Sequence, residues 1–392
     1  MRMVPGSWVH PPACAGPATP KRGTSNEFSN TRLGERMRSI FRLAILAVFA
    51  LLATQGWAFT PPASPSYCPW PAWKLPDAQP GDAIVYITSH GAQYTKPQID
   101  SAYDQVCWQQ DPPDTSSRDN WLTSAFLARF GAPEHYAYGL SQYEGLDLYR
   151  TLGPPEYAKQ APTMIFIHGG AWRGGSASSY GYFAENFVEA GANLVVLDFI
   201  NVTQTVGADG KPDKNLITMA EQVRAGVAWV YQHGDALNIN KDRIYVSGHS
   251  SGGHLCGVVI TTDWAARGLP ANFIQGAVCA SGMYDLYPVS LSARNLYINF
   301  SLDTMLQLSP IKHINNIHFP VVLGHGTKET PEFQRQSDDF AAALATAGKD
   351  VKLIVAPGYN HFEFAETFAN PYGPLGRASL EIMGLKPGGA LK

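Results

Sequence analysis

Arg243-Ile-Tyr-Val-Ser-Gly-His-Ser250-Ser-Gly-Gly-His-Leu255 is the stretch whose reading decides the fold. Its first half is a short, β-branched apolar run, the pattern of a buried strand. Gly248-His249-Ser250-Ser251-Gly252 then sets a serine at the centre of a Gly-x-Ser-x-Gly frame, and Gly253 to Val259 can continue as a helix. A nucleophilic serine needs such a strand–turn–helix, because a strained turn lifts its hydroxyl clear of the sheet. Gly248 and Gly252 remove side chains that would collide there. The helix behind the serine aims its N-terminal N–H groups at the site. Ser250 is therefore the expected nucleophile, and the off-centre Ser251 is expected to serve as a backbone donor.

Upstream, His168-Gly169-Gly170-Ala171-Trp172 follows a second apolar run, Met164–Ile167. Glycines there let the chain turn so that N–H groups face a substrate carbonyl oxygen. Gly169, Gly170 and Ala171, with Ser251, are the expected oxyanion hole. His168 is expected to brace the loop.

A serine hydroxyl needs a base. Of 11 histidines, His361 follows the last strand-like run, Val351–Val355, where the chain order serine, acid, histidine requires it. His325, after Val321–Leu323, is its rival. The acid that orients His361 is expected in the loop Gly326-Thr-Lys-Glu329, so Glu329 is the candidate, with Asp285 the alternative after an earlier strand. Trp172, Tyr284 and Phe362, near the motifs in sequence, are candidate pocket walls, and Tyr180, Tyr182 and Phe183 could join them. No metal or organic cofactor is implied. His249 and His254 are wrongly spaced to share one helix face as metal ligands.

The rest of the chain supplies the scaffold. It has 392 residues, 45% hydrophobic and 16% charged, with a net charge of −3. No basic stripe supports nucleic-acid binding; the expected partner is a small-molecule ester. Tyr136–Leu140 and Leu146–Thr151 read as a hairpin. Met164–Ile167, Leu194–Phe199, Arg243–Ser247, Phe273–Cys279, Val321–Leu323 and Val351–Val355 read as further strands, mostly continuous apolar runs of the kind buried on both sheet faces. Helical periodicity covers Leu216–His233, and Thr330-Pro331 opens another helix as cap and first residue. The expectation is one α/β domain over 131–392, with a mostly parallel eight-stranded sheet, helices on both faces and an N-terminal extension.

Residues 59–130 read as that extension, an arm and a lid-like segment: 59–82 are extended, and 94–130 carry helical stretches broken by Asp111-Pro-Pro113. Leu43–Ala53 is an apolar run behind Arg36, Arg38 and Arg42, followed by Gly56 and Ala58. This is the layout of a signal peptide over 37–58, starting at Met37. Residues 1–36 then read as upstream sequence. Export to the periplasm or outside follows, with no stable membrane anchor after cleavage. An oxidising compartment permits disulfides. Cys68 and Cys107 are the expected pair, and Cys256 and Cys279 are expected as small buried apolar residues.

The motifs His168–Trp172, Gly248–Leu255, Tyr284-Asp-Leu286, Leu308-Ser-Pro-Ile311 and Gly358-Tyr-Asn-His-Phe362 together resemble the α/β-hydrolase branch of kynurenine formamidases (arylformamidases), carboxylesterases and feruloyl esterases. Ile99–Gln105 and Leu146–Tyr149 resemble its entry segments. The resemblance spans roughly residues 94–385. It implies the α/β-hydrolase fold, a Ser-His-acid triad and hydrolysis of an ester or a formamide, with ester cleavage favoured because export does not suit intracellular kynurenine metabolism.

Overall fold

A computed structural model describes residues 74–109 and 115–391. The signal-peptide reading, residues 1–58 and Cys68 lie outside the described residues. Among the described residues, ten strands form two sheets. β1 (Ile84–Ile87) and β2 (Gln93–Thr95) pair as a separate hairpin. The other eight are β3 (Glu134–Ala137), β4 (Gly145–Tyr149), β5 (Thr163–Ile167), β6 (Asn193–Leu197), β7 (Ile244–His249), β8 (Ile274–Ala280), β9 (Val321–Gly326) and β10 (Val351–Ala356). They lie in the order β10-β9-β8-β7-β5-β6-β4-β3, parallel from β10 to β6, with β4 and β3 antiparallel.

The apolar runs explain the layering. Every residue of β5 and of β6 is buried. Successive side chains point to opposite faces. Ile165, Ile167, Val195 and Leu197 join one core cluster, and Met164, Phe166, Leu194 and Val196 the other. The helices that carry the site follow in chain order: α1 (Lys96–Ala102), α2 (Gln105–Trp108), α3 (Thr115–Phe130), α4 (Ala184–Ala190), α5 (Leu216–Gln232), α6 (Ser251–Ile260), α7 (Pro331–Thr346), α8 (His361–Glu366) and α9 (Pro374–Ile382). Apolar residues of α5, α6 and α7 fill the first cluster, and those of α4 and α9 the second. α5 starts where the Asn215 side chain accepts from the N–H groups of Ile217 and Thr218. Such a cap is worth about 1 kcal/mol. No described helix is long and apolar enough to cross a membrane.

The strand order reverses between β5 and β7. After β5 the chain adds β6 on one side, then β7, β8, β9 and β10 on the other. Open α/β sheets bind ligands in the crevice at such a reversal, beyond the carboxyl ends of the strands. Register pairs Ile167 with Gly248. The two glycine motifs therefore leave the sheet side by side, although far apart in sequence.

β1 and β2 form a hairpin that precedes α1 and has no counterpart among the expected elements. Two expectations need correction. Cys256 and Cys279 are not separate buried thiols; they form a disulfide with Cα atoms 5.7 Å apart, joining α6 to β8. Finally, Thr330 precedes α7 without capping it. Its hydroxyl instead accepts from the Gln105 side chain, at 3.1 Å.

Candidate active site

Ser250 joins β7 to α6 with φ 60° and ψ −126°. A non-glycine residue held there stores about 1–3 kcal/mol of strain, which the surrounding structure must overcome. The turn is held by close packing beneath it. A Cβ on Gly252 would lie 2.1 Å from the Ile167 carbonyl oxygen. No side chain fits there, so glycine is obligatory.

His361 opens α8, whose preceding residue, Asn360, caps it by accepting from the N–H groups of Phe362 and Glu363. That cap fixes the ring's approach. His361 Nε2 lies 2.9 Å from Ser250 Oγ, and Nδ1 lies 2.7 Å from Glu329 Oε2. With Nδ1–H donating to the carboxylate, Nε2 is the free base facing the serine. Glu329 is fully buried, and its other oxygen accepts from Ser281 Oγ and the Gly326 N–H, each at 2.7 Å. A buried carboxylate demands such partners. Gln105 Nε2 approaches Glu329 Oε2 at 3.5 Å while bonding Thr330 Oγ1.

Asp285 is not in this relay. Its carboxylate caps the short helix Leu286–Ser290 through the Tyr287 N–H, and its backbone is held by Gln336. His325 is likewise occupied elsewhere, with Nε2 3.0 Å from Asp338 Oδ1. Burial disfavours its cation, but the bond and charge of Asp338 outweigh that and raise its pKa. His249 packs against His361 with ring centroids 4.4 Å apart. Burial and the neighbouring His361 hold His249 well below its ordinary pKa, so it is neutral. His254, pushed down to about 4 by burial, accepts from Trp172 Nε1 at 3.1 Å and meets the Leu308 carbonyl at 2.8 Å.

The loop after β5 lies against the nucleophile. A Cβ on Gly169 would approach Ser250 Cβ at 3.1 Å. Gly170 has φ +121°, and a Cβ there would lie 2.2 Å from the Gly174 carbonyl oxygen. Ala171 and Trp172 follow at φ 55° and 62°. This turn exposes Gly169, Gly170 and Ala171 along the cavity beside Ser250. Ser251, as the first residue of α6, has an N–H with no partner inside the helix. The Gly169 N–H faces the Tyr180 hydroxyl, opposing the burial that raises that phenol's pKa. His168 stacks on Phe199 at 4.2 Å, and its Nδ1 lies 2.8 Å from the Gly169 carbonyl, so it braces the loop.

Ser250 and His361 open on a cavity of about 930 Å³. Phe362 lines it, as do Tyr180 and Tyr182. Trp172 and Tyr284, expected as walls, do not. Trp172 is buried in the core on His254, and Tyr284 is buried against Phe340 with its hydroxyl on the Cys279 carbonyl. Phe183 is also core. Proximity in sequence misled there, because Tyr284 packs between Gly257 of α6 and Phe340 of α7. Conversely, Gln105, Ser281 and Arg294 touch the site without having been singled out. The resemblance of Ile99–Gln105 to family entry segments was the signal for Gln105. Among the described residues, no cluster of three or more His, Cys, Asp or Glu could hold a metal ion.

Comparison with known proteins agrees with this architecture. The BD-FAE family model matches residues 146–280. A kynurenine formamidase of Salmo salar is 30% identical over 253 residues, covering 63% of this chain and 80% of that protein. Esterase LipC of Mycobacterium tuberculosis is 24% identical, covering 57% of this chain and 58% of its own. Among solved structures, an esterase of Pyrobaculum calidifontis superposes with a TM-score of 0.53 at 17% identity, covering 69% of this chain and 92% of its own.

Proposed function

This chain belongs to the α/β-hydrolase superfamily, in the branch of formamidases and esterases, and from that premise we propose that it is a serine hydrolase of carboxylic esters. The observation that carries the reading is the unbroken relay from Ser250 Oγ through His361 to Glu329. Ser250 attacks the carbonyl carbon while His361 Nε2 takes its proton. Glu329 holds the ring and stabilises the imidazolium that forms. The N–H groups of Ser251 and of the Gly169–Ala171 loop receive the oxyanion; losing one such donor typically costs about 10²–10³ in rate. His361 then returns the proton to the leaving alkoxide, giving an acyl-enzyme on Ser250. Water, deprotonated by the same nitrogen, releases the acid.

A second reading is hydrolysis of an aryl formamide, favoured by the kynurenine formamidase relative. The same relay would protonate an aniline nitrogen in place of an alkoxide. Fluorophosphonate labelling of the protein and of Ser250→Ala tests the nucleophile. Parallel rates on 4-nitrophenyl acetate and formanilide separate the two substrates: faster ester cleavage supports the first reading, and a much faster formamide rate overturns it. Export through the 37–58 segment is part of the proposal. Its test is the N-terminal sequence of the protein recovered from the periplasm or medium.

A further inference from the structure

The cavity that holds the relay is also lined by two guanidinium groups with which no carboxylate pairs among the described residues. Arg294 and Arg173 both line the cavity. Arg294 donates from one terminal nitrogen to the Tyr103 carbonyl at 2.7 Å and from the other to the Tyr297 hydroxyl at 2.8 Å. Its Nε is buried with no partner. Its guanidinium sits 5.5 Å from the Trp172 ring and 5.9 Å from the Phe333 ring. Arg173 lies over the Tyr297 ring at 4.7 Å. Tyr297 therefore holds both cations, one on its face and one at its hydroxyl. Neither arginine forms an ion pair with any described residue.

The acidic groups of the same cavity are engaged elsewhere. Asp100 pairs with Lys96. Asp104 caps α2 through the N–H groups of Val106 and Cys107. Asp119 accepts from the Tyr182 hydroxyl at 3.0 Å, and Glu366 pairs with Arg118. Burial raises the pKa of both Asp119 and Glu366, weakening their opposition to the cations.

Arg173 is exposed and rests on the Tyr297 ring, whereas Arg294 is half-buried and its planar guanidinium is fixed by two neutral acceptors. Such a group is costly until an anion meets it, and a planar guanidinium matches a carboxylate. Resting on the hydrolase reading above, we propose that Arg294 and Arg173 form a carboxylate subsite, so that the substrate is an ester or amide carrying an anionic carboxylate beside the scissile bond. Arg294 supplies the fixed, inner contact, and Arg173 the outer one. A charge-assisted hydrogen bond contributes about 1.5–3 kcal/mol, or roughly ten- to a hundredfold in kcat/KM.

Matched substrates of equal size test this. 4-Acetoxybenzoate against 4-acetoxybenzamide places the charge on the leaving group. Monomethyl terephthalate against methyl 4-carbamoylbenzoate places it on the acyl side. The wild-type protein should prefer the anion at least tenfold in one pair, and Arg294→Gln should bring that ratio close to one. Arg377→Gln, at an exposed arginine on α9, should leave the ratio intact. Benzoate should also inhibit turnover of 4-nitrophenyl acetate more strongly than benzamide, an outcome that does not depend on a variant folding. Equal rates within both pairs, with Ser250 labelled by the fluorophosphonate, overturn the subsite and leave the hydrolase reading standing. A preference that survives Arg294→Gln and Arg173→Gln together also overturns it. An unlabelled Ser250 overturns both.

Discussion

Replacing Glu329 with glutamine keeps size and shape but should cripple the relay, and the hydrogen bonds dictate how. Glu329 Oε1 accepts from the Gly326 N–H and from Ser281, both at 2.7 Å. The backbone N–H cannot become an acceptor, so the glutamine oxygen must take that place. Its NH₂ then occupies the position 2.7 Å from His361 Nδ1. Two donors cannot face one another, so Nδ1 gives up its hydrogen and accepts. The ring proton moves to Nε2, facing Ser250 Oγ, where the base is needed. In a serine protease the equivalent amide lowers kcat by about 10⁴, or about 5.5 kcal/mol of transition-state stabilisation. We expect Glu329→Gln to lose on the order of 10³–10⁴ in kcat on 4-nitrophenyl acetate, with a similar slowing of fluorophosphonate labelling. Asp285→Asn, which touches only a helix cap, should stay within about threefold, because loss of a single cap costs about 1 kcal/mol of stability and not of catalysis. A loss below tenfold at Glu329, or a larger loss at Asp285, would refute the reasoning.

Three further outcomes follow from the geometry. Gln105→Ala removes the side chain that bridges Thr330 and approaches Glu329; kcat should fall about tenfold, the worth of one hydrogen bond near a charge, with KM little changed in steady-state assays. Replacing Cys256 and Cys279 together with alanine opens a cross-link spanning 23 residues, and urea unfolding should show a loss of about 3 kcal/mol. Asp338→Asn should act on stability in a pH-dependent way, because Asp338 raises the pKa of His325. A raised folded pKa stabilises below the unfolded value and the contribution vanishes as pH climbs through the folded one. Thermal melting should therefore separate wild type and variant more at about pH 5.5 than at about pH 8.5, by under about 1 kcal/mol since Asp338 is half exposed.

The parts of the site that sit directly on strand ends were legible in the sequence. Ser250, the Gly169–Ala171 turn and Glu329 each follow a buried run, and His361 follows the partly exposed edge strand β10; an open parallel sheet gathers such strand-end positions together. Strand ends were less secure. The expected Tyr136–Leu140 strand is Glu134–Ala137, shifted toward polar residues that pair in register with β4. What the sequence hid depends on the third dimension. Trp172 and Tyr284 flank motifs yet point into the core. Arg294 lies in an unremarkable Ser-Ala-Arg-Asn stretch, and only the packing of Tyr103, Trp172 and Tyr297 around it gives it a role. Cys256 and Cys279 read as apolar because their own neighbours are; their pairing requires knowing that α6 crosses β8.

The bond between Gln105 and the acid loop joins residues more than two hundred positions apart, and the serine and its histidine are separated by 111. That distance has a meaning in time. A ribosome adding about 5–20 residues per second needs roughly 6–22 s between making Ser250 and making His361. During that interval the serine has no base, and the Gln105 segment has nothing to grip until Glu329 and Thr330 are made. The growing chain is thus chemically silent until His361 has been made, and reactivity switches on only then. A fragment that stops before His361 should contain every strand of the sheet yet remain inert.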